Sequence, residues 1–156
     1  MPCNYLVIGY GNTLRSDDGV GYRVAEIVAT WAVAGVRSLP CHQLTPDLAV
    51  EIAQARVVLF VDGIVVSSED APITRWEWIA PDGQGAAGGH SSNPRSLLAI
   101  AQALYQATPQ AVWLLVPILH VEFGETLSEF AQQSMKHTLT QIHHWWLSGA
   151  EASFEF

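Results

Sequence analysis

The segment Val57–Val61 constrains the fold of this chain more than any other part of its sequence. All five of its residues are apolar and three are β-branched, which is typical of a strand buried on both faces. The run Tyr5–Ile8 is also continuously apolar and stops at Gly9, so it predicts a second buried strand. Strands of this kind occur in parallel sheets that have helices on both sides.

Segments with helical spacing of apolar residues alternate with the strand-like runs. Helices are predicted over Val20–Trp31, Thr45–Gln54, Asn93–Gln106 and Ser128–Trp146, and further strands over Val36–Leu39, Ile73–Ile79 and Val112–Ile118. The second helix is expected to start with Thr45 as N-cap and Pro46 as its first residue. The buried stripe of the third is expected to comprise Leu97, Leu98, Ala101, Leu104 and Tyr105.

This alternation predicts the fold class and the domain organisation. Alternating strands and helices indicate a three-layer α/β/α domain with a mostly parallel sheet. No helix fits between Val61 and Ile73, so the strand that begins at Ile73 is predicted to be antiparallel to the others. We expect one domain over residues 1–148, followed by a C-terminal tail over 149–156.

Charge and composition exclude several classes of function. The net charge is −8 with only seven basic residues, which gives nucleic-acid binding little electrostatic support. The longest apolar run, Ala111–Leu119, contains Pro117 and is far shorter than the roughly 20 residues that a membrane helix needs. The first residues carry no positive charge, so no signal peptide is predicted. With only two cysteines in the sequence, we expect a cytoplasmic protein without nucleic-acid or membrane partners.

The glycine-containing loop after the first strand does not match a dinucleotide site. Gly9 and Gly11 follow a strand and precede a helix, but Leu14 stands where the fingerprint needs a third glycine. Asp17 and Asp18 would also place two negative charges where a pyrophosphate binds. We therefore do not expect nucleotide binding.

Three potential metal ligands follow strands or lie in loops. Asp18 ends the loop after the first strand, Asp62 is expected to end the strand Val57–Val61, and His90 ends a glycine-rich loop. Ligands of open α/β sheets bind beyond the carboxyl ends of the strands, so these side chains can meet in one crevice. Two carboxylates and an imidazole suit an incomplete shell for nickel or zinc. Each residue also has an alternative interpretation when taken singly. Asp18 can be a carboxylate at the start of a helix, Asp62 can belong to a turn, and His90 can be an exposed loop residue.

The same residues belong to a longer pattern that resembles a known family. The loop after the first strand is similar to the N-terminal signature of the nickel–iron hydrogenase maturation proteases, reading Gly9-x-Gly11-Asn12-x-Leu14-x-x-Asp17-Asp18-Gly19-x-Gly21. The resemblance continues through Asp62-Gly63, His90, Val116-Pro117 and the stretch Phe123–Ser128. It covers essentially the full chain.

The resemblance implies a fold, an activity and a site. The family has a five-stranded twisted sheet between helices and acts as a monomeric endopeptidase that trims the C-terminus of the hydrogenase large-subunit precursor. Its nickel-recognition site maps onto Asp18, Asp62 and His90, and some members carry glutamate at the first position. The nickel would be supplied by the substrate.

The chemistry of cleavage stays open at this point. Nickel either polarises the scissile carbonyl, with Asp18 or Asp62 as general base, or only positions the substrate. A covalent route through Cys41 beside His42 is disfavoured, because adjacent side chains on a strand point to opposite faces. The alternative function is a non-catalytic, metal-dependent assembly chaperone for the same precursor.

One further segment points to the type of hydrogenase. The residues from His42 to Leu48 resemble the loop found in proteases for bidirectional, NAD(P)-linked hydrogenases. The resemblance thus implies a substrate-recognition role for this loop, carried by His42, Gln43, Leu44, Thr45 and Pro46.

Overall fold

The chain folds into one five-stranded sheet with helices on both faces. A computed structural model describes residues 3–83 and 93–148. The strands are β1 (Cys3–Tyr10), β2 (Val36–Cys41), β3 (Ala55–Val65), β4 (Arg75–Ile79) and β5 (Gln110–Ile118). The helices are α1 (Val20–Thr30), α2 (Leu48–Ile52), α3 (Pro94–Tyr105) and α4 (Glu129–Leu147), and a 3₁₀ turn, Ser16–Gly19, joins β1 to α1. None of the helices in these residues is both long and apolar enough to cross a bilayer.

The strand order confirms the predicted fold class. The sheet has the order β2-β1-β3-β5-β4, in which the first four strands are parallel and β4 pairs antiparallel with β5. The connection between β3 and β4 contains no helix, so the chain turns back along the sheet instead of crossing over it. The expectation for the strand starting near Ile73 is therefore confirmed, with its first paired residue at Arg75.

The core lies on both faces of the sheet. Residues Val57–Val61 of β3 are at most 2% exposed, which confirms that this strand is covered on both sides. Helices α1 and α4 pack on the face that carries Val7 and Leu59. Helices α2 and α3 pack on the opposite face, which carries Ile8 and Phe60.

Two glycines of the signature bring α1 into direct contact with the sheet. A Cβ atom on Gly21 would lie 2.3 Å from the carbonyl oxygen of Val61, and one on Gly9 would lie 2.0 Å from the carbonyl oxygen of Gly21. No side chain fits at either position without pushing the helix away from β1 and β3. These glycines thus hold the 3₁₀ turn and its acidic residues beside the carboxyl edge of the sheet.

Two expectations about where elements begin and end are wrong. Strand β3 continues to Val65, so Asp62 lies within the strand, paired with Leu115, and not at its end. Helix α2 begins at Leu48 with Asp47 as N-cap, because residues 45–47 form a turn in which the Leu48 amide donates to the Thr45 carbonyl at 3.1 Å.

The buried stripe of α3 is also shorter than predicted. Leu97, Leu98 and Ala101 are buried, but Leu104 is 64% exposed and Tyr105 is 45% exposed. Helical spacing puts all of these residues on one side of the helix, yet the core packs only against the first two turns. The predicted cap is confirmed, since Asn93 accepts a hydrogen bond from the Ser96 amide and Pro94 is the first helical residue.

Candidate active site

Two acidic side chains meet at the carboxyl edge of the sheet. Asp18 lies in the 3₁₀ turn after β1, and Asp62 lies near the end of the neighbouring strand β3. They are close enough that the charge of Asp18 contributes to a raised pKa of Asp62. The third predicted ligand, His90, lies outside the described residues. Within residues 3–83 and 93–148, no group of three metal-ligating side chains is present.

Asp62 is largely buried, and its surroundings favour the protonated form. Burial raises the pKa of its carboxyl group to about 6, although hydrogen bonds from the Tyr10 hydroxyl and the Gly63 amide act in the opposite direction. Gly9 pairs with Val61 in the sheet, so Tyr10 and Asp62 are neighbours on one face. Burial also raises the pKa of Tyr10, so its hydroxyl remains a hydrogen-bond donor at neutral pH. Asp62 can therefore gain or lose a proton near neutral pH.

Asp18 is fixed by the glycine loop itself. The backbone amide of Asn12 donates to Asp18 Oδ2 at 2.8 Å. The loop can fold over the turn only because Gly11 lacks a side chain: a Cβ atom there would lie 2.0 Å from the Asp18 carbonyl oxygen, and its φ is +149°. The signature thus positions one carboxylate oxygen of Asp18 through a main-chain contact.

The two carboxylates can bind a divalent cation, and the implied imidazole of His90 would suit a borderline one. Neither Asp18 nor Asp62 takes part in the ion pairs found among the described residues. Two neighbouring carboxylates without a basic partner repel each other, and a cation between them relieves that repulsion. Carboxylate oxygens, joined by an imidazole, are suitable ligands for nickel or zinc.

Asp17, the residue next to Asp18, has an entirely different role that the sequence did not reveal. It is fully buried and accepts hydrogen bonds from the amides of Leu119, His120 and Ser128 at 2.7–3.0 Å, and from the Ser128 hydroxyl at 2.8 Å. Burial alone would raise the pKa of Asp17, but these hydrogen bonds outweigh it and hold the pKa below its ordinary value. Asp17 therefore fastens the loop between β5 and α4 to the 3₁₀ turn.

We expect Asp17→Ala to destabilise the protein by about 2–4 kcal/mol, because three main-chain amides and the Ser128 hydroxyl lose their acceptor. Urea unfolding followed by circular dichroism measures this change. The matched control is Glu26→Ala, an exposed carboxylate on α1, which should change stability by less than about 0.5 kcal/mol. Equal stability of the two variants would contradict the structural role of Asp17.

For Asp62 we expect the opposite effect: removal of its charge should stabilise the protein. Its pKa is about 6 in the folded state against 3.8 as the ordinary value, so between those values the folded state holds more protons than the unfolded chain. The free energy of unfolding therefore falls as pH rises through this range. Above it, the ionised Asp62 lowers the free energy of unfolding by a constant amount of about 3 kcal/mol.

The variant Asp62→Asn removes this titration while keeping the size of the side chain. The metal-free variant should exceed the parent protein in stability by up to about 3 kcal/mol at neutral pH, and the difference should vanish below about pH 4. Urea titrations at a series of pH values measure it. A variant that is less stable than the parent at neutral pH would show that Asp62 is not destabilised by burial.

The predicted recognition loop lies beside this site. The Gly11 amide donates to the Cys41 carbonyl at 3.1 Å and joins the loop to the glycine turn. His42 stacks on Tyr22 of α1, with ring centroids 4.9 Å apart. An open cleft of about 370 Å³ is lined by Asn12, Leu14, His42 and Gln43.

The other residues of the loop have different surroundings. Leu44 is buried with the core residues of α2, Thr45 is half-buried and Pro46 is exposed. His42 and Gln43 thus line the cleft, and Leu44 packs into the core and holds the loop in place.

Cys41 is poorly suited to act as a nucleophile. Burial, and to a smaller extent the charge of Asp47, raises the pKa of its thiol above the ordinary value. The thiolate is the reactive form of cysteine, so a raised pKa lowers its reactivity. The Cys41 thiol contacts the Leu39 carbonyl oxygen at 3.7 Å.

We therefore expect Cys41→Ser to process substrate within about twofold of the parent rate, and thiol-alkylating reagents to leave processing unchanged. A time course of product formation with and without reagent measures this. A loss of activity on alkylation of the parent protein, but not of Cys41→Ser, would revive a covalent route.

Comparison with known proteins finds solved structures that share this fold. No protein-family model and no curated protein matches the sequence. The hydrogenase maturating endopeptidase HybD from E. coli matches the fold with a TM-score of 0.68 and 19% identity over 94% of each chain. The [NiFe] hydrogenase maturation protease HycI from Thermococcus kodakarensis KOD1 matches with a TM-score of 0.70 and 22% identity over 91% of each chain. A hydrogenase 2 maturation peptidase from a Thaumarchaeota archaeon has a TM-score of 0.66 and 18% identity, over 95% of this chain and 99% of that chain.

These likenesses cover nearly the whole of each chain. The chain has the fold of the hydrogenase maturation endopeptidases, which is the fold that the sequence resemblance implied.

Proposed function

We propose that this chain is a nickel–iron hydrogenase maturation protease, an endopeptidase that removes the C-terminal peptide of the nickel-loaded large-subunit precursor. The observation that carries the proposal is the pair Asp18 and Asp62, which lie together at the carboxyl edge of the sheet without a basic partner among the described ion pairs. The shared fold with maturation endopeptidases supports it. The protein acts in the cytoplasm as a monomer.

The roles of the site residues follow from their surroundings. Asp18, Asp62 and His90 recognise the nickel that the precursor carries between its own ligands. Near neutral pH, Asp62 can accept a proton from the attacking water, since its pKa is about 6. Asp18, held by the Asn12 amide, orients the metal or the water. The nickel either polarises the scissile carbonyl or positions the bond, and both options use the same two carboxylates.

The recognition loop supports a bidirectional, NAD(P)-linked hydrogenase as the source of the precursor. His42 and Gln43 line the cleft beside Asn12, where a substrate segment that reaches Asp18 would lie. Leu44 holds the loop to the core, while Thr45 and Pro46 form the turn that leads into α2.

The direct test is to mix the purified protein with nickel-loaded precursor and to measure the masses of the products. We expect one C-terminal peptide and a shortened large subunit, with faster cutting of the bidirectional precursor than of an uptake-hydrogenase precursor. Binding without any change in mass would overturn the endopeptidase and favour the assembly chaperone. Equal rates for the two precursors would overturn the assigned substrate type alone.

A further inference from the structure

Phe123 is the most exposed large apolar side chain in the described part of the chain. It lies in the loop between β5 and α4 and is 88% exposed. Leu14, in the loop after β1, is 56% exposed, and its carbonyl oxygen accepts a hydrogen bond of 3.0 Å from the amide of Gly124. The two exposed apolar residues thus lie on backbone segments that pair with each other through the bridge between Arg15 and Gly124, and neighbouring exposed apolar residues can mark an interaction surface.

The backbone on both sides of Phe123 is held in place. The Ser16 amide donates to the Gly124 carbonyl at 2.7 Å, and the Ser16 hydroxyl donates to the Glu122 carbonyl at 2.8 Å. The hydrogen bonds to Asp17 fasten both ends of the same loop. A loop whose backbone is already fixed pays little further ordering entropy when it binds a partner.

The ring itself has a neighbour that orients it without covering it. The guanidinium carbon of Arg15 lies 5.7 Å from the centroid of the Phe123 ring, within the range of a cation–π interaction. Arg15 is in turn fixed by a hydrogen bond from its Nε to the Val121 carbonyl at 3.0 Å. The remainder of the ring is open, as the 88% exposure requires.

The backbone hydrogen bond between Gly124 and Leu14 places the loop that carries Phe123 beside the cleft. Leu14 lines the cleft together with Asn12, and the Asn12 amide is bonded to Asp18. A peptide segment bound in this cleft near Asp18 would therefore contact Leu14 and lie close to the loop that carries Phe123.

We propose that Phe123, together with Leu14, is the anchor for an apolar side chain of the precursor close to the scissile bond. This inference rests on the proposed function. Phe123 acts on substrate affinity and not on the chemical step, since it belongs to the loop that Asp17 fastens and not to the carboxylate pair.

The test is single-turnover cleavage of nickel-loaded precursor with the protease in excess. Phe123→Ala should raise the half-saturating protease concentration roughly 10- to 100-fold and leave the plateau rate unchanged, because the burial of one aromatic side chain is lost. Phe123→Leu, which keeps an apolar side chain, should recover most of the affinity. The matched control is Leu104→Ala on α3, which removes an apolar side chain of 64% exposure and should change neither quantity.

The outcomes separate this inference from the proposed function. If Phe123→Ala leaves the half-saturating protease concentration unchanged, or if Leu104→Ala raises it equally, the anchor is overturned. Cleavage by the parent protein would still support the endopeptidase. If the parent protein binds the precursor without cutting it, the endopeptidase proposal fails, and equilibrium binding of the same variants then tests the anchor. Equal affinity of the parent protein and Phe123→Ala in that measurement would also overturn it.

Discussion

A precursor that carries nickel should be cut by this protein, whereas the same precursor prepared without nickel should remain intact. Two carboxylates and one imidazole bind a borderline cation loosely, while thiolates in the precursor hold nickel firmly. On the proposed function, the metal would therefore come with the substrate and would supply both docking and orientation. Positioning effects of this kind change rates by many orders of magnitude, so the contrast should be all-or-none on a gel.

The measurement uses protease that has been treated with a chelator and then freed of it. This protein should contain little metal and should still cut the nickel-loaded precursor. Adding nickel to the metal-free precursor, before the protease is added, should restore cutting. Efficient cleavage of the metal-free precursor would defeat the recognition role of Asp18, Asp62 and His90.

The variant Asp62→Asn should lose at least about 100-fold in cleavage rate while its fold stays intact. The amide keeps the size of the side chain and an oxygen that can accept from Tyr10 and Gly63, but it can neither take a proton nor ligate a cation as a carboxylate does. Single-turnover cleavage measures the loss, and circular dichroism checks the fold. The control Asp70→Asn, at an exposed carboxylate in the loop between β3 and β4, should cut at the parent rate.

Two companion variants sharpen this prediction. His90→Ala should also abolish processing, whereas Asp18→Glu should keep substantial activity, because the resemblance implies that glutamate serves at this position. Retained cleavage by a well-folded His90→Ala protein would remove the histidine from the site. An inactive but folded Asp18→Glu protein would show that the length of this side chain is critical.

Asp62→Asn is thus expected to gain stability and lose activity together. Burial makes the ionised carboxylate unfavourable in the folded, metal-free protein. The same unfavourable charge is what allows the site to attract a cation or a proton. A residue that costs stability and is needed for function is the usual pattern at active sites.

Much of the architecture follows from local sequence patterns. The apolar run Val57–Val61 predicts a strand covered on both faces, because neither face carries a polar side chain that water could solvate. The cap formed by Asn93 and Pro94 depends on residues within one turn of each other, so the sequence alone locates the start of α3. No helix fits between Val61 and Ile73, and this likewise predicts that β4 runs antiparallel to its neighbour.

Expectations failed where neighbours from distant parts of the chain decide the outcome. Helical spacing assigns Leu104 to the stripe of α3, but burial depends on what packs against the last turn. The extension of β3 beyond Asp62 depends on pairing with β5, which lies about 50 residues further along the chain.

The aspartates show the same division most clearly. The sequence alone determined that acidic residues follow β1 and the apolar run of β3. The resemblance assigned a ligand role to Asp18, but nothing in the sequence indicated what the adjacent Asp17 does. Only the tertiary structure turns Asp17 inward, onto the amides of a loop about 100 residues away, and leaves Asp18 beside Asp62. Hydrogen-bond partners and burial decide what a carboxylate does, and both are supplied by distant parts of the chain.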